Sequence, residues 1–302
     1  MALTINTNLS SMIVQQNLAK STSSLNQAIE RMTTGYKINH ASDNAAGYSI
    51  ARNWEAQLGS LDVAADNAAT GADMLSTLED NYALISTHIQ RVRDLTEQAA
   101  NGTYGSQSLK AINTEIQARL QEVDRIAENC EFNGISLMSG TEPQATTGLD
   151  IQVGIEQTDT KSRIHLKEDL FKSGKVNKLF KDGNTELSVE EVAKRCTNYD
   201  LANNKMSTTK YVPAAMLEKI DNVINELSSR VTTLGAAQNR LESAIESIGV
   251  QTENITSSLS TLRDADVATE SSNYIKAQIL QQASATLLAT ANQTPSIALN
   301  LL

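Results

Sequence analysis

Aromatic side chains are scarce: three Phe and one Trp occur in 302 residues, so the 40 % apolar content falls mainly to Ala, Leu, Ile and Val. Pockets for flat cofactors are lined with rings, whereas small and branched aliphatics are what packed helices interdigitate. Proline is scarcer still. Pro143, Pro213 and Pro295 leave stretches of 142, 69 and 81 residues in which no ring forbids a long helix. The two cysteines, Cys130 and Cys196, match no metal-ligand spacing and read as free thiols, with one disulfide as the alternative. No apolar run reaches the length of a membrane-spanning helix, so membrane insertion is not expected. Positive charge is in deficit, with 25 Lys and Arg against 35 Asp and Glu, a net charge of -10 and a pI near 4.9. That removes the basic stripe a nucleic-acid partner requires. The opening MALTINTNLSS has neither a basic n-region nor a continuous apolar one, so a cleaved secretory signal is not expected.

Catalytic constellations are missing too. His40, His88 and His165 fall in different elements and no HExxH is present, so they read as surface imidazoles. Asp264 and Asp266, in RDADVATE, read as carboxylates that complement a helix N-terminus. The stretch from Gly102 to Gly105 lacks the lysine and preceding strand of a phosphate loop and reads as a turn. With no nucleophile beside a base, the reading is a non-enzyme with no cofactor and no metal.

What is present is helical periodicity. From Leu217 to Leu262, apolar residues recur in alternating steps of three and four, through Ile220, Ile224, Leu227, Val231, Leu234, Leu241, Ile245, Ile248, Ile255 and Leu259. Only Gln238 and Thr252 interrupt the series, which predicts a coiled-coil helix about 69 Å long. A partner runs from Leu58 through Ala65, Ala72, Leu75, Tyr82, Ile85, Ile89 and Val92 to Ala99, with a phase slip after Ala72. A shorter helix is predicted from Ser106 to Glu128. Near one end of the chain Leu25, Ile29, Met32 and Tyr36 keep the same spacing, preceded by Ile5, Leu9, Met12 and Ile13. Near the other, Ile275, Ile279, Ala283, Leu287 and Ala291 form a matching stripe, so the two terminal helices are expected to pair. Gly35, Gly47, Gly59 and Gly71, twelve apart, suggest joints or close helix approach.

The middle has a different character. Between Lys161 and Lys210 lie nine Lys and two Arg against seven acids, a local net charge of +4. LDIQVGI and SRIHL alternate with period two and predict a β-hairpin at about 149–167. From Phe171 to Lys210 the pattern is weak, and the reading is a solvated surface loop or small excursion with one short helix at Ser188 to Arg195.

The last seven residues, SIALNLL, carry four large apolar side chains. Burying them yields roughly 6 to 12 kcal/mol in all. Ordering seven backbones costs roughly 7 to 14 kcal/mol. The tail therefore needs help from other segments to become ordered.

Long motifs now converge. MALTINTNLSS, LNQAIERMTTGYKINHASDNAAGYSIA, IQRVRDLTEQAANGTYG, FNG and the closing RDADVATESSNYIKAQILQQASATLLATANQTPSIALNLL together resemble bacterial flagellin, over roughly residues 1–167 and 213–302. Two cysteines, and Asn44 where many members carry Asp, depart from the pattern.

The resemblance implies a mainly α fold: a long antiparallel helical bundle with a small β-hairpin and a helical hairpin made by the two termini. It divides the chain into residues 1–43 with 257–302 as the inner filament core, disordered in the monomer; 44–170 with 213–256 as the bundle; and 171–212 as a short surface-exposed segment in place of large outer domains. It implies an exported subunit of the extracellular flagellar filament that polymerises with itself. A cytoplasmic chaperone on the C-terminus, the flagellar type III export apparatus, and cap and hook-associated proteins are its other implied partners. Polymer-core contacts are expected at Ile5, Leu9, Met12, Ile13, Leu25, Ile29, Met32, Ile275, Ile279, Leu287, Ile297, Leu299, Leu301 and Leu302. In many members an Arg and a Leu matching Arg91 and Leu95, with a Glu matching Glu115, meet the vertebrate innate-immune flagellin receptor; spacing places Arg91 and Leu95 together outside the helix seam, where a neighbouring protofilament would also touch them. The alternatives are a hook-filament junction protein and a secreted coiled-coil translocator.

Overall fold

The computed structural model describes residues 8–156, 162–182, 185–201, 203, 205–206 and 213–300, the last seven by backbone alone. Long helices dominate: α1 (Leu9–Thr34), α2 (Ala45–Ala100) and α3 (Ser106–Asn129) precede the middle segment, and α7 (Pro213–Arg263) and α8 (Val267–Asn300) follow it. Between them lie the short helices α4 (Gln144–Thr147), α5 (Val176–Leu179) and α6 (Val189–Thr197). Among the described residues a 3-10 turn (Glu168–Phe171) and four two-stranded antiparallel hairpins are also present: β1/β2 (Glu131–Phe132, Ile135–Ser136), β3/β4 (Leu149–Gln152, Arg163–Leu166), β5/β6 (Lys181–Asp182, Thr185–Glu186) and β7/β8 (Tyr199–Asp200, Lys205–Met206). The fold is thus the mainly α bundle that the heptads predict. The chain separates into two compact units, Ser60–Val250 on one side and Met1–Gly59 with Gln251–Leu302 on the other.

In the Ser60–Val250 unit the α2 stripe of Leu75, Leu78, Tyr82, Ile85, Ile89 and Val92 is fully buried, as is the α3 stripe through Ile116, Leu120 and Val123. The seam of α7 is turned from its predicted position. Met216, Ile220, Val223, Leu227, Arg230, Leu234, Ala237 and Leu241 are buried, whereas Leu217, Ile224, Val231 and Gln238 are half-buried. Two heptad positions alone would suit a single facing rod; here the middle segment also covers α7, which moves the buried line around the helix.

The β3/β4 hairpin forms with Ile151 opposite Ile164 and Leu149 opposite Leu166. Ile151, Ile164 and Leu166 turn inward, while Asp150 and His165 pair outward at 2.8 Å. Gly71 admits this hairpin: a Cβ there would stand 2.4 Å from Ile151 Cδ1.

Of the two readings of Phe171 to Lys210, the solvated loop does not hold for the described residues, which form a small packed excursion. Phe171, Val176, Phe180, Leu187, Val192, Ala193 and Cys196 are all buried. Asn113 on α3 donates through Nδ2 to Ala193 O at 3.0 Å, Thr197 Oγ1 at 2.6 Å and Tyr199 O at 3.0 Å. Asp182 accepts from Arg195 of α6 and from Lys219 of α7 at 2.7 Å, and those hydrogen bonds hold its carboxyl down at about 2. The predicted short helix is α6, capped by Ser188, whose side chain accepts from Glu191 N. The buried residues here sit in or beside elements of a few residues, too short to show a period. Cys130 and Cys196 are free and buried, and burial pushes their thiols up to about 11 and about 12.

Candidate assembly surface

The terminal helices α1 and α8 form an antiparallel pair. Asn8 Nδ2 donates to Ala291 O at 2.7 Å, Ser11 Oγ to Asn292 Oδ1 at 2.8 Å, Gln281 Nε2 to Thr22 Oγ1 at 3.2 Å, and Arg31 bridges Glu270 at 3.2 Å. Asn8 also caps α1, its side chain accepting from Ser11 N, and Gly35 ends that helix with φ 77°.

The pairing face is not the stripe the spacing suggests. On α8 the buried residues are Glu270, Ala277 and Ser284, seven apart, and on α1 only Ala28 is buried among the described residues. The large apolar side chains point away: Leu9 is 67 % exposed, Ile279 59 % and Leu287 58 %, and Met12, Ile13, Ile29, Met32 and Ile275 are exposed as well. Leu25 alone of the expected set is half-buried. Ile5, Leu301 and Leu302 lie outside the described residues, as do the side chains of Ile297 and Leu299. Ile275, Ile279 and Leu280 line a shallow groove of about 400 Å³ with Ser272 and Lys276. Small and polar residues inside, large apolar ones outside, is the reverse of an isolated helical hairpin.

The two linkers to this hairpin hold each other. Lys37 N donates to Arg263 O at 2.7 Å and Ala265 N to Gly35 O at 2.8 Å, while the Arg263 guanidinium lies 3.9 Å from the centre of the Tyr36 ring and bridges Glu55. Asp266 opens α8 as its cap, accepting from Ala268 N and the Thr269 hydroxyl, bonds that lower its pKa, the hydroxyl first. Asp264 instead accepts from the Ser260 hydroxyl.

In the bundle, Arg91 and Glu115 meet across α2 and α3 at 3.1 Å, Arg91 exposed and Glu115 half-buried. Leu95 does not join them. It is 2 % exposed, buried in the hydrophobic core, so its expected place outside the seam is corrected. Thr96 beside it is also fully buried, its hydroxyl donating to Val92 O at 2.7 Å, and it partly offsets the upward push of burial on the Cys196 thiol, which puts α6 over this part of α2 and widens its buried face.

Comparison with known proteins completes the picture. The Bacterial flagellin N-terminal helical region matches residues 5–143 and the Bacterial flagellin C-terminal helical region residues 217–302. A flagellin of Xenorhabdus nematophila is 36 % identical over the full length of both chains, and a flagellin of Bacillus subtilis is 33 % identical over 99 % of each. The chain belongs to the bacterial flagellin family. As a flagellin it is a structural subunit of the flagellar filament, and the family is a structural one. A solved structure of a putative flagellar hook-associated protein from Vibrio parahaemolyticus shares the fold, with TM-score 0.56 and 14 % identity over 74 % of this chain and all of that one. At that identity the likeness is of fold alone.

Two features of this flagellin escape sequence reading. Arg230 lies in the buried face of α7 at 7 % exposure, donating to Lys172 O at 3.2 Å, Ser173 O at 3.3 Å, Tyr82 Oη at 3.4 Å and Glu226 at 2.6 Å. Asn113 is the matching device on α3. Both are polar residues inside apolar stripes, and the signal that could have found them is that each replaces an aliphatic on a core-facing turn. Asn44, the departure from the family pattern, accepts from Gly47 N at 3.0 Å and so caps α2, a role in which Asn and Asp are equivalent.

Proposed function

We propose that residues 1–43 with 257–302 form the innermost layer of the filament and that 44–170 with 213–256 form the layer around it. The carrying observation is the outward apolar face of α1 and α8. Eight of its exposed large residues, each about half uncovered, represent roughly 6 to 12 kcal/mol of unrealised burial. Association costs are of similar size, roughly 4 to 15 kcal/mol. One neighbour is therefore insufficient, and several must close on each subunit together. Self-polymerisation through this face also explains the SIALNLL tail, which gains its dry surroundings from other copies. Before assembly the same residues suit a cytoplasmic export chaperone, and export through the flagellar type III apparatus, in unfolded form, fits a chain whose cysteines are free. Cap and hook-associated proteins meet the ends of the same polymer.

A chain cut after Leu288 tests this reading. Negative-stain microscopy of seeded full-length protein is expected to show filaments and the truncated protein none, with chaperone capture lost alongside. Filaments from both chains would exclude the tail from subunit contacts.

We also infer that the innate-immune flagellin receptor reads the ion pair of exposed Arg91 and half-buried Glu115, with Leu95 supporting it from beneath. Arg91→Ala monomer is expected to signal about tenfold more weakly in receptor-expressing cells, as loss of a charge-assisted contact predicts. No response to the wild-type monomer, where a known agonist responds, would end this reading.

A further inference from the structure

Between Arg52 and Arg91, α2 carries no Lys or Arg. Within that stretch Asp62, Asp66, Asp73 and Asp80 are exposed, and none has an ion-pair partner among the described residues. Spacings of four, seven and seven place all four on a strip about 40° wide. Leu84 continues the strip, 53 % exposed. Like charges repeated along one helix face weaken the helix, and no ion pair among the described residues offsets the effect.

The complementary feature lies in the middle segment. A cleft of about 470 Å³ opens between it and α7, lined by Lys172, Lys178, Lys181, Lys219 and Arg230, with Glu226 as the one acid. Arg230 and Glu226 bind each other. Lys172, Lys178 and Lys219 are held by Asp169, Glu186 and Asp182 at the rim, but each of those carboxylates is more than a third exposed. Such surface pairs contribute little and exchange readily for a better-placed carboxylate. Lys181 has no ion-pair partner among the described residues. The segment's local +4 stands against -14 on the rest of the chain, so each copy carries both halves of one electrostatic contact.

We propose that the aspartate ridge of α2 seats in the cation-lined cleft of a second copy of this chain. The contact is heterologous: the ridge of one subunit meets a different surface on the next, which propagates an open polymer instead of closing a dimer. It rests on the filament reading above. It adds a role for the middle segment, which then joins neighbouring subunits and does not merely cap its own.

The test is a charge-swap cycle read as critical concentration for polymerisation. Asp66→Lys with Asp73→Lys is expected to raise it about three- to tenfold, and Lys178→Glu with Lys181→Glu by a similar factor. All four changes in one chain are expected to restore it to within about twofold of wild type, because the contact is re-formed with its signs exchanged. Simple multiplication of the two losses would overturn the proposal, as would no loss in either. Should a reversed chain fail to fold by circular dichroism, Asp66→Asn with Asp73→Asn replaces it. Its deficit against wild type is expected to vanish between about 20 mM and about 500 mM NaCl, and a deficit independent of salt would refute the contact. Wild-type protein that forms no filament under any condition would instead overturn the assembly reading, which keeps the two failures distinct.

Discussion

Replacing Arg230 with alanine is expected to lower the unfolding free energy of the protein by about 3 to 5 kcal/mol, among the larger effects a single side chain can have. The guanidinium holds Lys172 O, Ser173 O and the Tyr82 hydroxyl while lying against the Tyr82 ring, 5.9 Å from its centre. Without it, two carbonyls lose a donor that water cannot easily replace, at about 1 to 3 kcal/mol each, and the void adds to that cost. Arg230→Lys places a single ammonium where a planar fork was needed, and an intermediate loss of about 1 to 2 kcal/mol follows. Urea unfolding followed by circular dichroism measures both changes. Limited proteolysis is expected to open the middle segment first, since Arg230 ties its backbone to α7. A loss under about 1 kcal/mol for Arg230→Ala would mean that other contacts, such as those of Asn113, hold the segment alone.

Ile279→Asp is expected to abolish filaments while leaving the monomer almost untouched. Ile279 is 59 % exposed in the subunit, and a polar substitution there shifts stability by about 0.5 kcal/mol at most. In the polymer the same carboxylate would have to be desolvated without a partner, at about 3 kcal/mol or more. Because about 1.4 kcal/mol corresponds to tenfold in an equilibrium constant, the critical concentration rises about a hundredfold or beyond. Leu287→Asp is expected to do the same and Ile279→Val to polymerise normally. Sedimentation of seeded samples beside a thermal melt of the monomer separates assembly from folding. An Ile279→Asp chain that sediments like wild type would remove this face from the subunit contacts.

The long helices were legible because apolar spacing reports that a helix has a face to bury. It does not report what covers that face. The stripe of Leu109, Ile112, Ile116 and Leu120 is buried as its spacing suggests, because α3 has its partners within the chain. The stripe of Ile275, Ile279 and Leu287 looked identical, yet it faces outward, and the hairpin closes through Glu270, Ala277 and Ser284 instead. Leu95 failed for the converse reason: a coiled-coil seam covers two positions in seven, whereas α2 is covered on a wider front once α6 lies over Thr96. The core of the middle segment is hidden from the sequence because Phe171, Val176, Phe180 and Val192 come from short elements and the turns between them, with no common period. Arg230 was hidden by its charge, since a guanidinium in a core is justified only by the carbonyls that await it.

The clasp between Gly35, Lys37, Arg263 and Ala265 bears on mechanics. A flagellar filament transmits torque, so every covalent connection to the terminal helices is repeatedly strained. Here both crossings are fastened to each other by two backbone hydrogen bonds and a guanidinium stacked on a ring. A pull on either strand is shared with the other. The junction therefore resists twisting as a double cord, where two independent single strands would each swivel freely about their own backbone torsions.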